Sequence, residues 1–172
     1  VWEMVTQLGL VNSYVLPPFT RVARQMAQQI IDGKLGYQIL NSLYIVFGGM
    51  ILSFLLAIVT SILCIYSKIV ESFVAAVCTV MNPLPGIAIL PLIMLWFGIG
   101  DGAMLILIIH GVLWPLVTNL LTGFKAIPQV YREWGINIGL SPFRMFTDIY
   151  INAVISYVIS GLRVGWGRAW RA

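Results

Sequence analysis

Residues 35–67 read LGYQILNSLYIVFGGMILSFLLAIVTSILCIYS, a run without a single Asp, Glu, Lys or Arg. At about 1.5 Å per residue, a helix over most of this run is longer than the roughly 30 Å hydrocarbon core of a bilayer. The run therefore predicts a membrane-spanning helix at about residues 37–66.

Two more charge-free runs follow this first span. One lies between Glu71 and Asp101, and the other between Asp101 and Lys125. Each is longer than the ~20 residues that a spanning helix needs. They predict spans at about residues 70–98 and 103–123.

The composition excludes several classes of protein. Of all residues, 60% are hydrophobic and 9% are charged, against roughly 25% charged in a soluble domain. The net charge of +4 is too thinly spread for nucleic-acid binding. The apolar runs are continuous, not alternating as in a transmembrane β-barrel. We predict an all-α membrane protein, a polytopic bundle of transmembrane helices in a lipid bilayer, with Cys64 and Cys78 as buried thiols.

A fourth apolar run, at about residues 149–172, predicts a span cut short, because arginines interrupt its second half. Gly161 and Gly165 form a G-x-x-x-G motif that lets another helix approach closely. Two serines extend the motif backward at similar spacing, Ser156 and Ser160.

Two polar side chains within the spans have more than one interpretation. Arg163 lies between the two glycines, and an arginine at membrane depth normally faces a partner or a water-filled cavity. It is a candidate for the translocation path, with snorkelling or pairing to a carbonyl as the alternative. His110 in the third span is more typical of a satisfied packing residue than of a proton relay.

Three prolines make the second span irregular. Pro83, Pro85 and Pro91 each remove a backbone donor and crowd the preceding turn. Broken backbone at membrane depth is covered by protein or lines a wet cavity. All three are candidates for the translocation path, and a kinked structural helix is equally consistent with them.

Residues 1–36 differ in composition from the rest, because polar and apolar residues alternate there at helical spacing. This pattern predicts a surface helix that starts after Pro17 and Pro18 and ends at Gly33. We therefore divide the chain into an N-terminal segment, residues 1–36, and a transmembrane core, residues 37–172.

The polar segment at residues 125–148 separates the third and fourth spans. Pro128 and Pro142 can each start a short helix, with Gly139 as the stop between them. This predicts a helical hairpin outside the bilayer, suited to docking a partner, with an ordinary solvated loop as the alternative.

Within this segment, residues 133–139 read EWGINIG, and after nine residues, 149–152 read IYIN. The pattern resembles the E-A-A-x3-G-x9-I-x-L-P loop of permease subunits of bacterial ABC importers, the binding-protein-dependent transport family. Further stretches resemble its nitrate, sulfonate and taurine branch: residues 16–18, 32–35, 41–43, 82–92, 96–100 and 161–163. Trp134 and Gly135 replace the two alanines of the motif, and Ile151 and Asn152 replace Leu-Pro.

The resemblance implies a function and a set of partners. The loop would be cytoplasmic and seated on a separate ABC ATPase subunit, with Glu133, Trp134, Gly135 and Gly139 as its coupling residues. Residues 1–36 and Asp101 would then be extracytoplasmic. A second permease chain, as a homodimer, and an extracytoplasmic solute-binding protein would complete a multi-pass importer in the inner or plasma membrane.

The cargo implied by the resemblance is a small solute, with an anion such as nitrate, a sulfonate or taurine as candidates. We expect no cofactor and no catalysis in this chain, because it has no phosphate-binding loop and ATP would bind to the partner subunit. The alternative is a structural or assembly subunit, or a degenerate permease remnant, since family members extend beyond both ends of this sequence. A proton-coupled carrier is disfavoured because it would need paired intramembrane acids.

Overall fold

The computed structural model describes residues 1–9, 11–12 and 14–171. Helices dominate these residues and no strand occurs among them, so the all-α class is confirmed. In chain order the elements are α1 (Trp2–Gln7), α2 (Phe19–Ile31), α3 (Lys34–Tyr66), α4 (Lys68–Met81), α5 (Gly86–Phe97), α6 (Asp101–Lys125), α7 (Gln129–Asn137), α8 (Pro142–Arg144), a π-helical stretch (Met145–Ile151) and α9 (Asn152–Ala169).

The chain forms two compact units, Val1–Tyr44 and Ile45–Ala172. The division expected from composition lies earlier, between residues 36 and 37. The two boundaries differ because they depend on different properties. The composition changes close to the start of α3, whereas the boundary between the compact units depends on the contacts that each part of this long helix makes.

In the first unit, an aromatic contact joins α1 to α2. The rings of Trp2 and Phe19 lie 5.5 Å apart in an edge-on arrangement, and the Trp2 indole N–H donates to the Pro17 carbonyl at 3.1 Å. The α2 helix starts directly after the Pro17-Pro18 pair and stops before Gly33, whose φ is 70°. Both limits agree with the sequence-based prediction.

The Glu3 carboxylate caps the first turn of α2. Its oxygens accept the backbone N–H of Thr20 at 3.1 Å and the Thr20 hydroxyl at 2.8 Å, together with the Gln7 amide at 2.9 Å. Pro18 occupies the N-cap position of α2 but has no side-chain oxygen to accept these hydrogen bonds, so the Glu3 carboxylate takes this role. The hydrogen bonds from Thr20, the backbone one foremost, lower the pKa of Glu3 below its ordinary value.

Among the described residues, three helices are long and apolar enough to cross a membrane: α3, α6 and the continuous helix Pro142–Ala169. The last of these begins before the span expected at 149–172. The helix begins at Pro142 because the π-helical stretch joins α8 to α9 without a break. It continues through Arg163 and Arg168 to Ala169.

The region predicted as the second span is interrupted, as its prolines suggested. The α4 and α5 helices meet at a 105° bend, the geometry of a broken span or of a re-entrant loop. Pro83 and Pro85 lie in the break, where each lacks an N–H and disfavours helix in the residue before it. Pro91 differs from them, because it lies inside α5 without ending that helix.

The core of the second unit is built around α6. Val112, Leu116 and Val117 of this helix are completely buried. The glycine motif of α9 packs on this face: a Cβ on Gly161 would lie 3.0 Å from Leu116, and one on Gly165 would lie 2.9 Å from Val112. Cys64 and Cys78 are also buried, as predicted, and neither forms a disulfide among the described residues.

The serines expected to extend this motif do not pack there. Ser156 and Ser160 are exposed. Each residue turns a helix by roughly 100°, so Ser160 lies away from the face that its neighbour Gly161 presents to α6.

Candidate functional site

The break between α4 and α5 is held by an arginine from α9. Asn82 is the C-cap of α4. The Arg168 Nη1 donates to the Asn82 backbone oxygen at 3.2 Å and to Asn82 Oδ1 at 2.9 Å. A guanidinium here satisfies a carbonyl left open at the helix end and is attracted by the negative end of the helix dipole.

Arg168 lies near the middle of the span formed by α6. A Cβ on Gly111 would lie 3.6 Å from the Arg168 Cβ. Gly111 lies about 15 Å along α6 from its start at Asp101 and about 21 Å from its end at Lys125, at about 1.5 Å per residue. The charge of Arg168 is therefore far from both ends of the helix against which it packs.

Two cavities meet at the Asn82–Arg168 contact, because both are lined by Asn82, Pro83 and Arg168. The first, called here the loop-side cavity, measures about 540 Å³ and reaches Lys125 at the end of α6. The second, called here the break cavity, measures about 610 Å³ and is lined by Pro85, the first residues of α5, His110 and Arg171.

The cavities contain some of the residues that the sequence proposed for the translocation path. Pro83 lines both and Pro85 lines the break cavity, whereas Pro91 and Arg163 line neither. Arg163 is exposed on α9, and no hydrogen bond or ion pair of its side chain is seen in the described part of the chain. A path role for these four residues stays a prediction.

Arg168 itself was missed by the sequence analysis, although the sequence carries a signal for it. It follows Gly165 by three residues and Gly161 by seven, spacings that place all three on one helix face. Arg163 follows Gly161 by two residues and so points elsewhere. The G-x-x-x-G motif could thus have identified the arginine that faces α6.

His110 was interpreted as a satisfied packing residue, and it does pack, but its hydrogen bonds are not satisfied among the described residues. Both of its ring nitrogens are buried without a hydrogen-bond partner among the described residues. The ring packs edge-on against Trp114 at 6.4 Å between centroids and lines the break cavity. Sequence reasoning could not detect this, because the partner of a buried histidine depends on tertiary contacts.

The hairpin outside the spans begins, as predicted, after Pro128 and turns at Gly139. Leu140 N–H donates to the Gly135 carbonyl at 2.9 Å, and Gly139 N–H donates to the Ile136 carbonyl at 3.0 Å. This pair of bonds is a Schellman motif, with Gly139 in the left-handed region at φ 72°. The Ser141 hydroxyl then caps α8, accepting from Arg144 N–H at 3.3 Å.

Gly135 joins α7 to the base of the last span. It is buried, and a Cβ there would lie 2.6 Å from Met145 Sδ and 2.9 Å from Ile149 Cδ1. The Arg132 guanidinium lies 5.9 Å from the centroid of the Tyr150 ring, a second contact between the same elements. Two separate contacts therefore fix the orientation of α7 on the π-helical stretch.

The opposite face of α7 is open to solvent. Glu133 is exposed and accepts a hydrogen bond from the Gln129 amide at 2.7 Å. The Trp134 side chain is 57% exposed. Other exposed apolar side chains of the hairpin are Val130, Tyr131, Ile136, Ile138 and Phe143. The hairpin thus presents an apolar surface with one carboxylate, called here the docking face.

Comparisons with known proteins agree with this architecture. The family model of the binding-protein-dependent transport system inner membrane component matches residues 49–172. A putative ABC transporter permease protein of Methanocaldococcus jannaschii is 29% identical over 99% of this chain and 65% of its own length. The taurine transport system permease protein of Escherichia coli is 26% identical over 99% of this chain and 64% of its own.

A nitrate import permease protein of Synechocystis sp. is 30% identical over 82% of this chain and 51% of its own length. The chain thus spans less than two thirds of the length of these relatives. The family match covers the hairpin, both cavities and the helices α4, α5, α6 and α9 that line them. The chain belongs to the binding-protein-dependent transport system inner membrane component family, a family of multi-pass permeases.

Proposed function

We propose that this chain is the transmembrane permease subunit of an ATP-driven ABC importer and forms the path for a small solute. The observation that carries the proposal is the firm attachment of the docking face to the last span through Gly135. A rigid hairpin transmits the movement of a bound partner to the helix from which it extends.

The partner proposed for the docking face is an ABC ATPase subunit, which would bind and hydrolyse ATP. The exposed Trp134 provides an aromatic anchor of the kind that dominates protein interfaces, and Glu133 adds a charge that can select the partner. A second permease chain and an extracytoplasmic solute-binding protein complete the proposed transporter. The family description, a binding-protein-dependent transport system inner membrane component, supports the solute-binding protein, and the name of one relative, an ABC transporter permease protein, supports the ATPase.

The proposed cargo is a small anion. Relatives are named for taurine, nitrate and aliphatic sulfonates. Among the described residues that line the loop-side and break cavities none is an Asp or Glu, whereas Arg168 lines both. A positive path favours anions and repels cations.

Site-directed cross-linking tests the ATPase partnership. Ile136→Cys places a thiol on the docking face, and the native thiols, Cys64 and Cys78, are buried. We expect a short thiol-reactive cross-linker to join Ile136→Cys to the co-expressed ATPase. The same reagent should not join Phe97→Cys to the ATPase, because Phe97 ends α5 and is not part of the docking face. Cross-linking from both positions, or from neither while ATP-dependent uptake proceeds, would contradict this docking face.

Uptake into proteoliposomes tests the transport function. The assembled transporter should accumulate solute inside the vesicles only when ATP is also inside them, on the side of the ATPase subunits. Uptake that continues without ATP and stops when a proton gradient is collapsed would instead indicate a secondary carrier. Absence of any uptake by a correctly inserted complex would favour a structural or assembly subunit.

A further inference from the structure

Arg168 has unused hydrogen-bonding capacity. A guanidinium carries five N–H donors, and the two recorded bonds both leave from Nη1. None of the described residues accepts a hydrogen bond from Nε or Nη2. These two groups form one edge of the planar guanidinium, and such an edge binds two oxygens of an oxyanion at once.

At the position of Arg168, a guanidinium edge without hydrogen-bond acceptors is energetically unfavourable unless that edge faces water or a ligand. Arg168 packs beside the middle of α6, and an arginine at membrane depth normally lies in a polar cavity or beside a partner. Asn82 contributes neutral oxygens and does not neutralise the charge. The positive charge of Arg168 is therefore held in place, and no carboxylate among the described residues pairs with it.

The break cavity adds further positive potential around this edge. Arg171 lines it, and its Nε donates to the Gly167 carbonyl at 2.7 Å, while none of the described residues accepts from its other N–H groups. Gly86 and Ile87, in the first turn of α5, line it too, and the first N–H groups of a helix have no partner within the helix. The His110 ring also lines the cavity, and neither of its nitrogens has a hydrogen-bond partner among the described residues. The described residues place no carboxylate in the lining.

We propose that the break cavity is a binding site for a small oxyanion, with Arg168 as its principal ligand and Arg171 and the start of α5 as supporting donors. The inference rests on the proposed transport function, since it places the cargo at a stated point of the path. The anion occupies the free edge of Arg168 while Nη1 stays on Asn82. Binding therefore requires no break in the contact that holds α4.

The same chemistry could come from the phosphate of an anionic lipid. The site lies about 15 Å along α6 from its nearer end, at about 1.5 Å per residue, which is deeper than a headgroup resides. We therefore assign the site to a free anion. Vesicle composition provides the test of this assignment.

The experiment is equilibrium binding of radiolabelled methanesulfonate to the purified protein in phosphatidylcholine nanodiscs, without nucleotide, ATPase or binding protein. We expect saturable binding that unlabelled nitrate displaces and the uncharged analogue methanesulfonamide does not. Arg168→Gln should weaken binding at least ten-fold, and Arg171→Gln several-fold. Arg24→Gln on α2 serves as the matched control and should leave binding unchanged.

Two variants at Asn82 separate anion binding from folding. Asn82→Asp retains both oxygens that accept from Arg168 but adds an internal anion, so binding should fall at least ten-fold although the fold persists. Asn82→Ala removes one of the two oxygens that hold Arg168 but adds no anion, so it should weaken binding less than Asn82→Asp. Circular dichroism and size-exclusion profiles check that both variants are folded.

The proposal is overturned if Arg168→Gln and Asn82→Asp, both folded, bind methanesulfonate normally, or if methanesulfonamide competes equally well. Loss of binding in Arg163→Gln but not in Arg168→Gln would overturn it as well. Loss of methanesulfonate binding in phosphatidylglycerol nanodiscs would assign the site to a lipid headgroup. Because the assay needs no ATP, a failure of the transport function leaves its result intact.

Discussion

A Cβ atom on Gly49 of α3 would lie 2.6 Å from Cγ2 and 3.1 Å from Cβ of Ile108 on α6. The isoleucine cannot move aside easily, because β-branched side chains have one strongly preferred rotamer in a helix. Gly49→Ala should destabilise the protein by about 1–3 kcal/mol through overpacking. SDS-induced unfolding in mixed micelles, followed by circular dichroism, measures this.

The neighbouring Gly48 provides the control. A Cβ there meets no atom within 4 Å, so Gly48→Ala should leave stability unchanged or raise it slightly, since alanine favours helix. In the double variant with Ile108→Ala, the effect of Gly49→Ala should be much smaller than in the unmodified protein. Equal effects of Gly48→Ala and Gly49→Ala would show that the two helices do not meet at Gly49.

A side chain at position 139 should lower the stability of the protein. The φ of Gly139, 72°, lies in the left-handed region, where a non-glycine residue costs roughly 1–2 kcal/mol, although a Cβ would have space. We expect faster amide exchange at residues 137–140 in Gly139→Ala, and loss of coupled uptake in Gly139→Pro, which also removes the N–H given to Ile136.

Gly102→Ala is the matched control for Gly139→Ala. Gly102 also has open space around it, but it lies in the first turn of α6 with ordinary backbone geometry. Amide exchange across the hairpin should not change in this variant. If Gly139→Ala exchanges no faster than Gly102→Ala, the left-handed turn is not what stabilises the end of α7.

Glu133→Lys should reduce ATP-dependent uptake at least ten-fold while membrane insertion stays normal. The side chain is exposed, so reversing its charge changes the docking face without disturbing packing. Glu133→Gln keeps an oxygen that accepts the hydrogen bond from Gln129, so this variant should reduce ATP-dependent uptake less than Glu133→Lys. Uptake that is unchanged in Glu133→Lys would argue against a coupling role for this residue.

The cap of α2 should weaken in acid. The bonds from Thr20 lower the pKa of Glu3, so their stabilising effect is complete above the unfolded-state pKa of 4.5 and is lost as pH falls through the lower folded-state pKa. Hydrogen exchange at the Thr20 amide, corrected for the intrinsic rate, should accelerate below pH 4.5. In Glu3→Gln this acceleration should vanish, and its persistence would locate the titrating group elsewhere.

Local signals in the sequence were sufficient for features that depend on a few neighbouring residues. The start of α2 at Pro17-Pro18, the break at Pro83 and Pro85 and the turn at Gly139 all follow from backbone restrictions of proline and glycine. Such restrictions act within one or two turns of helix. They hold whatever packs around them.

Features that depend on helix register were not predicted. Hydropathy identifies the last apolar run but cannot show that a π-helical stretch joins it to Pro142. It also treats Arg163 and Arg168 alike, although only Arg168 shares a face with the glycines that contact α6. The 105° bend angle is likewise set by tertiary contacts such as Arg168 with Asn82, which sequence spacing does not reveal.

The π-helical stretch Met145–Ile151 allows the length of this segment to vary without a change of helix register. A π-bulge is equivalent to one extra residue in an α-helix, accommodated within a widened turn. Loss of a single codon here would return the stretch to α-helix and leave Arg168 facing Asn82. Loss of a codon between Asn152 and Arg168, within the regular helix α9, would instead rotate Arg168 by roughly 100° around the helix axis. An alignment gap within these seven residues is therefore compatible with the same set of cavity-lining side chains, whereas a gap within α9 is not.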